Sequence, residues 1–253
     1  MNETEENLNV ILTAKVSYGT YESGDIEFEI EIRSSYVSDE VEEYYLSITA
    51  TSGNLLKLQL RTLITETHKL TTSYSSLLTY LQDADEDPNN PNNMLLFYTG
   101  QSVPKTSSTS VWNREHVWPK SLGWFTESGA GADMHHLRPC MPNLNSSRSN
   151  DRFGLTSEGA YFYPVVTDSK YNGTGIDYRG DVARIIFYMF VRYEQADQYT
   201  FIQVGQYEEI FLEWNEIDPV SETEIIRNNY TYQIQGNRNP FIDYPEYAEM
   251  IWG

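Results

Sequence analysis

Hydrophobic positions along the chain change period near residue 44. Before it, the run Asn9-Val10-Ile11-Leu12 and the alternating stretch Asp25 to Ile32 place apolar side chains on one face at a spacing of two, which predicts β-strands. Gly19 and Ser23-Gly24 are turn signals between them. The other face of the alternating stretch is acidic and therefore solvated. Residues 1–43 are thus a β-rich acidic N-terminal segment, the remnant or edge of a separate module, with Ser38-Asp39-Glu40 as the linker to a domain over 44–253.

Beyond that point the spacing becomes helical. Leu56, Leu60, Leu63 and Ile64 recur at i, i+4, i+7 and i+8, and a second helix after Thr72-Ser73 carries Leu77, Leu81 and Ala84 on one face. The stretch Asp83 to Asn93 (DADEDPNNPNN) is dense in turn formers and predicts a loop. Met94 to Tyr98 and Tyr161 to Val166 predict short strands. Asp181 is expected to cap a helix whose buried stripe is Val182, Ile185, Ile186, Met189 and Tyr193. Helix continues over Ile210 to Trp214, and Ser221 with Glu224 forms a capping-box pattern for the next one. The tail predicts a loop, Gln235 to Asp243, and a short helix to Trp252. The sum is an α+β domain, mostly helical with few strands.

Composition narrows the function. The 253 residues are 14% aromatic, which a disordered chain would not carry. No apolar run approaches the roughly 20 residues needed to cross a bilayer. Met1 to Leu12 is acidic and lacks a positively charged n-region, so no signal peptide is expected in the chain as given. A single cysteine, Cys140, rules out an intrachain disulfide and a four-cysteine zinc site, and is expected to be an inert small side chain. The net charge of −20 opposes a polyanionic partner, yet it is unevenly spread. Residues 101–192 hold 10 Lys/Arg against 8 Asp/Glu, a weakly basic island in an acidic chain. Acidic flanks that only keep the protein soluble explain the asymmetry equally well.

That island carries the chemistry. Four clusters fall within 42 residues: Asn113 to Pro119 (NREHVWP), Asp133 to Pro139 (DMHHLRP), Asn145 to Arg148 (NSSR) and Asn150 to Gly154 (NDRFG). Phosphodiester hydrolysis needs a base for water, a cation to offset charge in the transition state, and donors that hold the phosphate in line. His116 is the candidate base, because an imidazole titrates near neutrality. Glu115 and Asn145 offer the hard oxygens that Mg²⁺ or Ca²⁺ prefers. Arg138 and Arg148 are candidates to grip the phosphate. Glu115 and His116 are adjacent, so in a regular strand they would point to opposite faces; both serve only if the backbone is irregular there or a strand ends there.

These motifs closely resemble the endonuclease I family of bacterial nucleases, of the His-Me finger or ββα-metal class. The shared runs are NREHVWPKS (113–121), DMHHLRP (133–139), NSSRSN (145–150) and FG (153–154). The likeness extends over most of the chain from about residue 44, through Gly180 to Arg184, Asp218 to Ser221, and Asn237 to Asp243 (NRNPFID). It implies a β-hairpin followed by a helix, with His116 on the first strand, Asp133 to Leu137 as the second, and Asn145 opening the helix. It implies one divalent cation (Mg²⁺, or Ca²⁺ or Mn²⁺) on Glu115 and Asn145, and cleavage of DNA or RNA with little sequence preference to 5′-phosphate ends. A secreted or periplasmic location is also implied. Where the usual pattern has Arg-Gly-Asn, this chain has Arg148-Ser149-Asn150.

Other side chains have plainer expectations. Asp133 is expected to be structural. Of His135 and His136, alternation turns one inward to brace the finger and brings the other near the phosphate channel. Trp112, Trp118 and Trp124 suit core packing better than base stacking. Two further functions compete. A zinc hydrolase would use His116, His135, His136 and Glu115, though His-Glu-x-x-His is absent. A non-catalytic acidic binding module would leave the clusters idle.

Overall fold

A computed structural model describes residues 38–253 throughout, and of residues 1–37 only the backbone of four strands. By contacts between Cα atoms the chain divides into two units, Met1–Tyr44 and Tyr45–Gly253. In the first, β1 (Leu8–Ala14) pairs antiparallel with β4 (Ile26–Ile32), placing Val10 opposite Ile30 and Leu12 opposite Phe28. Between them β2 (Ser17–Tyr18) pairs with β3 (Tyr21–Glu22). The predicted linker is instead the start of a helix, α1 (Asp39–Tyr44). Asp39, Glu40 and Glu42 stand in its first turn, where acidic side chains meet the positive end of the helix dipole.

The second unit is built around one buried helix. α2 (Gly53–Glu66) buries Leu56, Leu60 and Ile64, as the spacing predicts, while Leu63 stays half-exposed. α3 (Leu77–Ala84) buries Leu77, Leu81 and Ala84. α5 (Arg179–Arg192) is buried on every side from Gly180 to Val191, not along one stripe. It packs against α2 and against α6 (Ile210–Ile217) and α8 (Pro240–Asp243). Asp181 does not cap it. The helix begins at Arg179, two residues earlier, and Asp181 points into a buried charge layer. α7 (Glu222–Gln235) does open on the predicted capping box of Ser221 and Glu224. α9 (Tyr247–Trp252) closes the chain, and α8 falls where a loop was expected, opened by Asn239 as cap and Pro240 in its first turn.

Strands are short and carry the site's frame. The expected loop 83–93 holds β5 (Glu86–Asp87) and the start of β6 (Asn90–Leu96), joined by a tight turn at Pro88-Asn89. The Asp87 carboxylate accepts the Asn89 N–H at 2.9 Å, a local bond that sequence spacing does not display. β7 (Gln101–Pro104) completes this sheet. β8 (Asn113–His116) and β9 (Leu137–Cys140) form a hairpin, followed by α4 (Pro142–Arg148). Phe97 N–H donates to the Pro139 carbonyl at 2.7 Å, tying the segment after β6 to β9. β10 (Arg152–Phe153) and β11 (Tyr161–Phe162) pair in parallel. β11 stops well short of the predicted Val166 because Pro164 has no N–H to give a ladder.

A layer of buried charge joins these parts. Arg184, fully buried, holds Glu224 through Nε at 2.7 Å and Nη2 at 2.8 Å. Asp85 takes bonds from Arg138 Nε (2.7 Å) and Arg227 Nε (3.1 Å). Arg138, Arg148 and Arg184 therefore spend their charge inside, and the weakly basic island of the sequence is less basic at the surface than its composition suggests.

α4 ends on Ser149 at φ 52° and ψ −118°, backbone that glycine adopts freely and serine does not. This is the position where the usual pattern carries glycine. Ser149→Gly is expected to raise unfolding free energy by about 1 kcal/mol, read from urea denaturation; a loss of stability would contradict the strain.

Candidate active site

The hairpin and α4 bring three of the predicted residues together. β8 and β9 run antiparallel with Glu115 opposite Arg138 and His116 opposite Leu137. The second strand starts at Leu137, not at Asp133. Residues 133–136 form a turn instead, with the His136 and Leu137 N–H groups both donating to the Asp133 carbonyl at 3.1 and 3.0 Å. Asn145 lies in the middle of α4, not at its opening, which Pro142 occupies. His116 is the last residue of β8, so the strand ends where two neighbouring side chains must both serve.

Glu115 is buried, at 2% exposure. Its Oε1 accepts the Tyr98 hydroxyl at 3.0 Å and a very short bond from Arg148 Nη1. Among the described residues Oε2 has no hydrogen-bond partner. Burial pushes the Glu115 carboxyl above its ordinary value, opposed by the Arg148 charge and the donated bonds. Arg148 does not reach outward for phosphate. Its Nη1 also donates to the His116 carbonyl at 3.0 Å and its Nη2 to the Val117 carbonyl at 2.8 Å, with the guanidinium 4.5 Å from the Phe153 ring centre.

His116 faces the Gly131 carbonyl through Nε2 at 3.1 Å. A carbonyl only accepts, so Nε2 carries the proton and Nδ1 keeps the lone pair. Nδ1 has no protein partner among the described residues. The ring lies between Tyr74 and Phe125, with centres 5.7 and 5.8 Å away. Burial, then the nearby His136, lowers the His116 pKa to about 3, so the ring is neutral at physiological pH. The Gly131 carbonyl is in place because a Cβ at 131 would stand 1.6 Å from the Thr126 carbonyl oxygen, an approach only glycine allows.

Asn145 is oriented from behind. Its Nδ2 donates to Asn113 Oδ1 at 2.8 Å and to the Arg114 carbonyl at 3.2 Å. The Arg114 carbonyl cannot donate, which fixes the amide with Oδ1 turned away and unpartnered among the described residues. Glu115 Oε2 and Asn145 Oδ1 are thus two hard oxygens held by the same strand, a fit for a hard divalent cation that keeps several waters. Among the described residues no group of three or more His, Cys, Asp and Glu gathers, so the ligand set of a zinc hydrolase is not assembled.

The remaining candidates lie elsewhere. Arg138 binds Asp85 and, at 3.3 Å, Asp181, with its guanidinium on the Phe97 ring, so it too is turned from a phosphate. His135 and His136 are both fully buried, and the His136 ring centre lies 5.5 Å from that of His116. His135 Nε2 meets the Asn237 carbonyl at 3.1 Å. His136 Nδ1 donates to the Ala130 carbonyl at 2.7 Å, and its Nε2 accepts the Trp118 N–H at 3.1 Å. Alternation fails here because residues 133–136 are a turn. Asp133 is a structural hub: its two oxygens take bonds from the His135 N–H, Gln235, Tyr188 and Tyr193. Trp112 and Trp118 are buried in the core, and Trp124 packs half-buried against Trp118. Cys140 is buried, and burial pushes its thiol well up.

Residues 52–246 match the family model described as Endonuclease I. The chain belongs to the endonuclease I family. It is therefore a nucleic-acid hydrolase. It is 42% identical over 235 residues to an extracellular ribonuclease of Bacillus amyloliquefaciens, covering 85% of this chain and 80% of that protein. An extracellular ribonuclease of Bacillus subtilis is 40% identical over 233 residues, covering 84% and 79%. A periplasmic deoxyribonuclease of Aeromonas hydrophila is 29% identical over 117 residues, 44% of this chain and 47% of that protein. No helix among the described residues is long and apolar enough to cross a membrane.

Sequence reasoning does not single out four supports of this candidate site: Tyr98, Asn113, Tyr74 and the Gly131 carbonyl. Asn113 had a signal, standing in the same motif as Glu115. Tyr98 had none, since its φ of 68° and its reach to Glu115 are tertiary facts.

Burial also lowers His135 and His136 to about 4 each. In the unfolded chain all three rings protonate near pH 6.5, so each withdraws stability as pH falls from there toward its folded value. The C2 protons of His116, His135 and His136 are expected to stay unshifted in an NMR titration from about pH 8 to pH 5. Titration of any of the three near pH 6.5 would contradict the buried, neutral rings.

Proposed function

We propose that this chain is a metal-dependent endonuclease, largely without sequence preference, that hydrolyses phosphodiester bonds to 5′-phosphate ends through a ββα-metal (His-Me) finger of β8, β9 and α4. The observation that carries the reading is that three groups of the hairpin and α4 are each supported from behind by bonds of their own. His116, Glu115 and Asn145 are each fixed by one set of bonds, and each keeps one polar atom unengaged among the described residues. RNA is the first substrate proposed, because the two relatives spanning most of the chain are named ribonucleases, and DNA the second. The same names support export from the cell.

His116 Nδ1 takes a proton from water as the water oxygen bonds to phosphorus. The P–O3′ bond breaks, the 3′ oxygen takes a proton from solvent water and leaves as a hydroxyl, His116 returns its proton to solvent, and the phosphate stays on the 5′ side of the next nucleotide. Because the ring is neutral over the physiological range, no proton must first be lost. Glu115 and Asn145 would hold one divalent cation, Mg²⁺ or else Ca²⁺ or Mn²⁺, which when bound supplies positive charge against the phosphate and leaving oxygen. Arg148 and Arg138 act through their neighbours as positioning residues: Arg148 fixes Glu115 and the 116–117 backbone, and Arg138 fixes β9.

His116→Ala is expected to slow cleavage of RNA by roughly 10²–10⁴-fold, with chelator removing activity and added Mg²⁺ restoring it. Glu115→Gln and Asn145→Ala are expected to raise the Mg²⁺ concentration needed. A fluorogenic RNA assay reads all three, and full activity of His116→Ala would end the proposal.

A further inference from the structure

Arg138 and Arg148, which the sequence offers for the phosphate, spend their charge inside the protein. Arg114 does not. It stands on β8 two residues before His116, so both side chains leave the same face of the strand, about 7 Å apart along it. The Arg114 guanidinium carbon lies 3.6 Å from the centre of the Tyr74 ring, and Nη1 donates to the Tyr74 carbonyl. Tyr74 in turn lies nearly parallel to the His116 ring, at 14°. Beyond burial and His136, the Lys120 and Arg114 charges also hold the His116 pKa down, so both cations stand near that ring.

Arg114 is suited to an oxyanion. Among the described residues it has no carboxylate partner, whereas Arg61, Arg138, Arg148 and Arg184 each have one. Its Nε is buried without a hydrogen-bond partner, and its Nη2 donates to nothing among the described residues and is open to solvent. The Tyr74 ring and carbonyl already hold the guanidinium in one place, so little side-chain freedom is lost when an anion docks. Lys120 is less suited, because it pairs with Glu127 at 3.0 Å and both side chains are half-exposed. A strand can lie against His116: the residue keeps 9% of its surface exposed, and Phe125 beside it lines an open groove with Ser121, Thr126 and Ser128. We infer that Arg114 binds the backbone phosphate one nucleotide away from the cut bond, donating from Nη2 to a non-bridging oxygen. The separation of residues 114 and 116 along β8 is on the order of the spacing between successive phosphates of a strand. His116, Glu115 and Asn145 serve the cut phosphate, and Arg114 holds its neighbour and so fixes where the strand lies. Every nucleotide carries a phosphate, so the contact has no base preference. The inference deepens the nuclease reading and rests on it.

End-labelled oligonucleotides carrying a single neutral methylphosphonate linkage test the assignment, with cleavage at each bond read separately. In the native protein a neutral linkage one step from the cut, on one side, is expected to slow that cut roughly tenfold. Arg114→Gln keeps a donor for the Tyr74 carbonyl and removes the charge. It is expected to cut the fully charged strand roughly tenfold more slowly and to be indifferent to the neutral linkage. Arg114→Met, which keeps an apolar stem on Tyr74, reads the same loss if Arg114→Gln fails to fold. Lys120→Gln is expected to keep the native sensitivity. A native protein indifferent to neutral neighbours on both sides would overturn the site without any variant. A charged strand cut at the native rate without the Arg114 charge, a neutral linkage that still costs its full factor there, or sensitivity lost in Lys120→Gln instead would each do the same. Full activity of His116→Ala ends the nuclease reading itself, whereas a slow His116→Ala beside an unchanged Arg114→Gln ends only the phosphate contact.

Discussion

One buried guanidinium holds the site's geometry. Arg148, at the end of α4, donates to Glu115 and to the carbonyls of His116 and Val117. Taking an ion pair out of water is costly, and such pairs seldom add net stability over an apolar replacement. What the pair supplies here is position. Neighbours in a regular strand face opposite ways. β8 ends at His116, and Arg148 satisfies the two carbonyls just where the ladder runs out. That holds residues 115 and 116 together at the end of one strand.

A second constraint is that the working groups are supported by atoms that can act in only one sense. A carbonyl behind His116 fixes which nitrogen carries the proton. A carbonyl behind Asn145 fixes which end of the amide faces out. Both supports are backbone carbonyls, Gly131 ahead of β9 and Arg114 within β8, and Asn113 Oδ1 adds a side-chain acceptor behind Asn145. The close packing at Gly131 is part of the same device.

The protein's charge is organised by depth as well as by sequence. Arg61, Arg138, Arg148, Arg184, Arg227 and Arg238 are all buried and paired. An acidic exterior surrounds a site whose positive charge is mostly internal. Non-specific attraction for a polyanion is then weak.

Much was legible in the sequence because it is local. The helical spacing of Leu56, Leu60 and Ile64, the capping box at Ser221 and the motif clusters around Glu115, His116 and Asn145 are set by residues a few positions apart. The N-terminal alternation fixes strands for the same reason. What failed was long-range. Asp181 looks like a cap and is a buried partner of Arg138, 43 positions away. Arg138 and Arg148 look like phosphate hands and are internal struts, because their carboxylate partners arrive from residues 85, 181 and 115. His135 and His136 look alternating and both turn inward, because the chain there is a turn. The sequence by itself determined which chemical groups are present and in which local elements; only the tertiary structure decided which polar atoms are already satisfied, since a hydrogen bond across distant segments leaves no periodic trace in either of them.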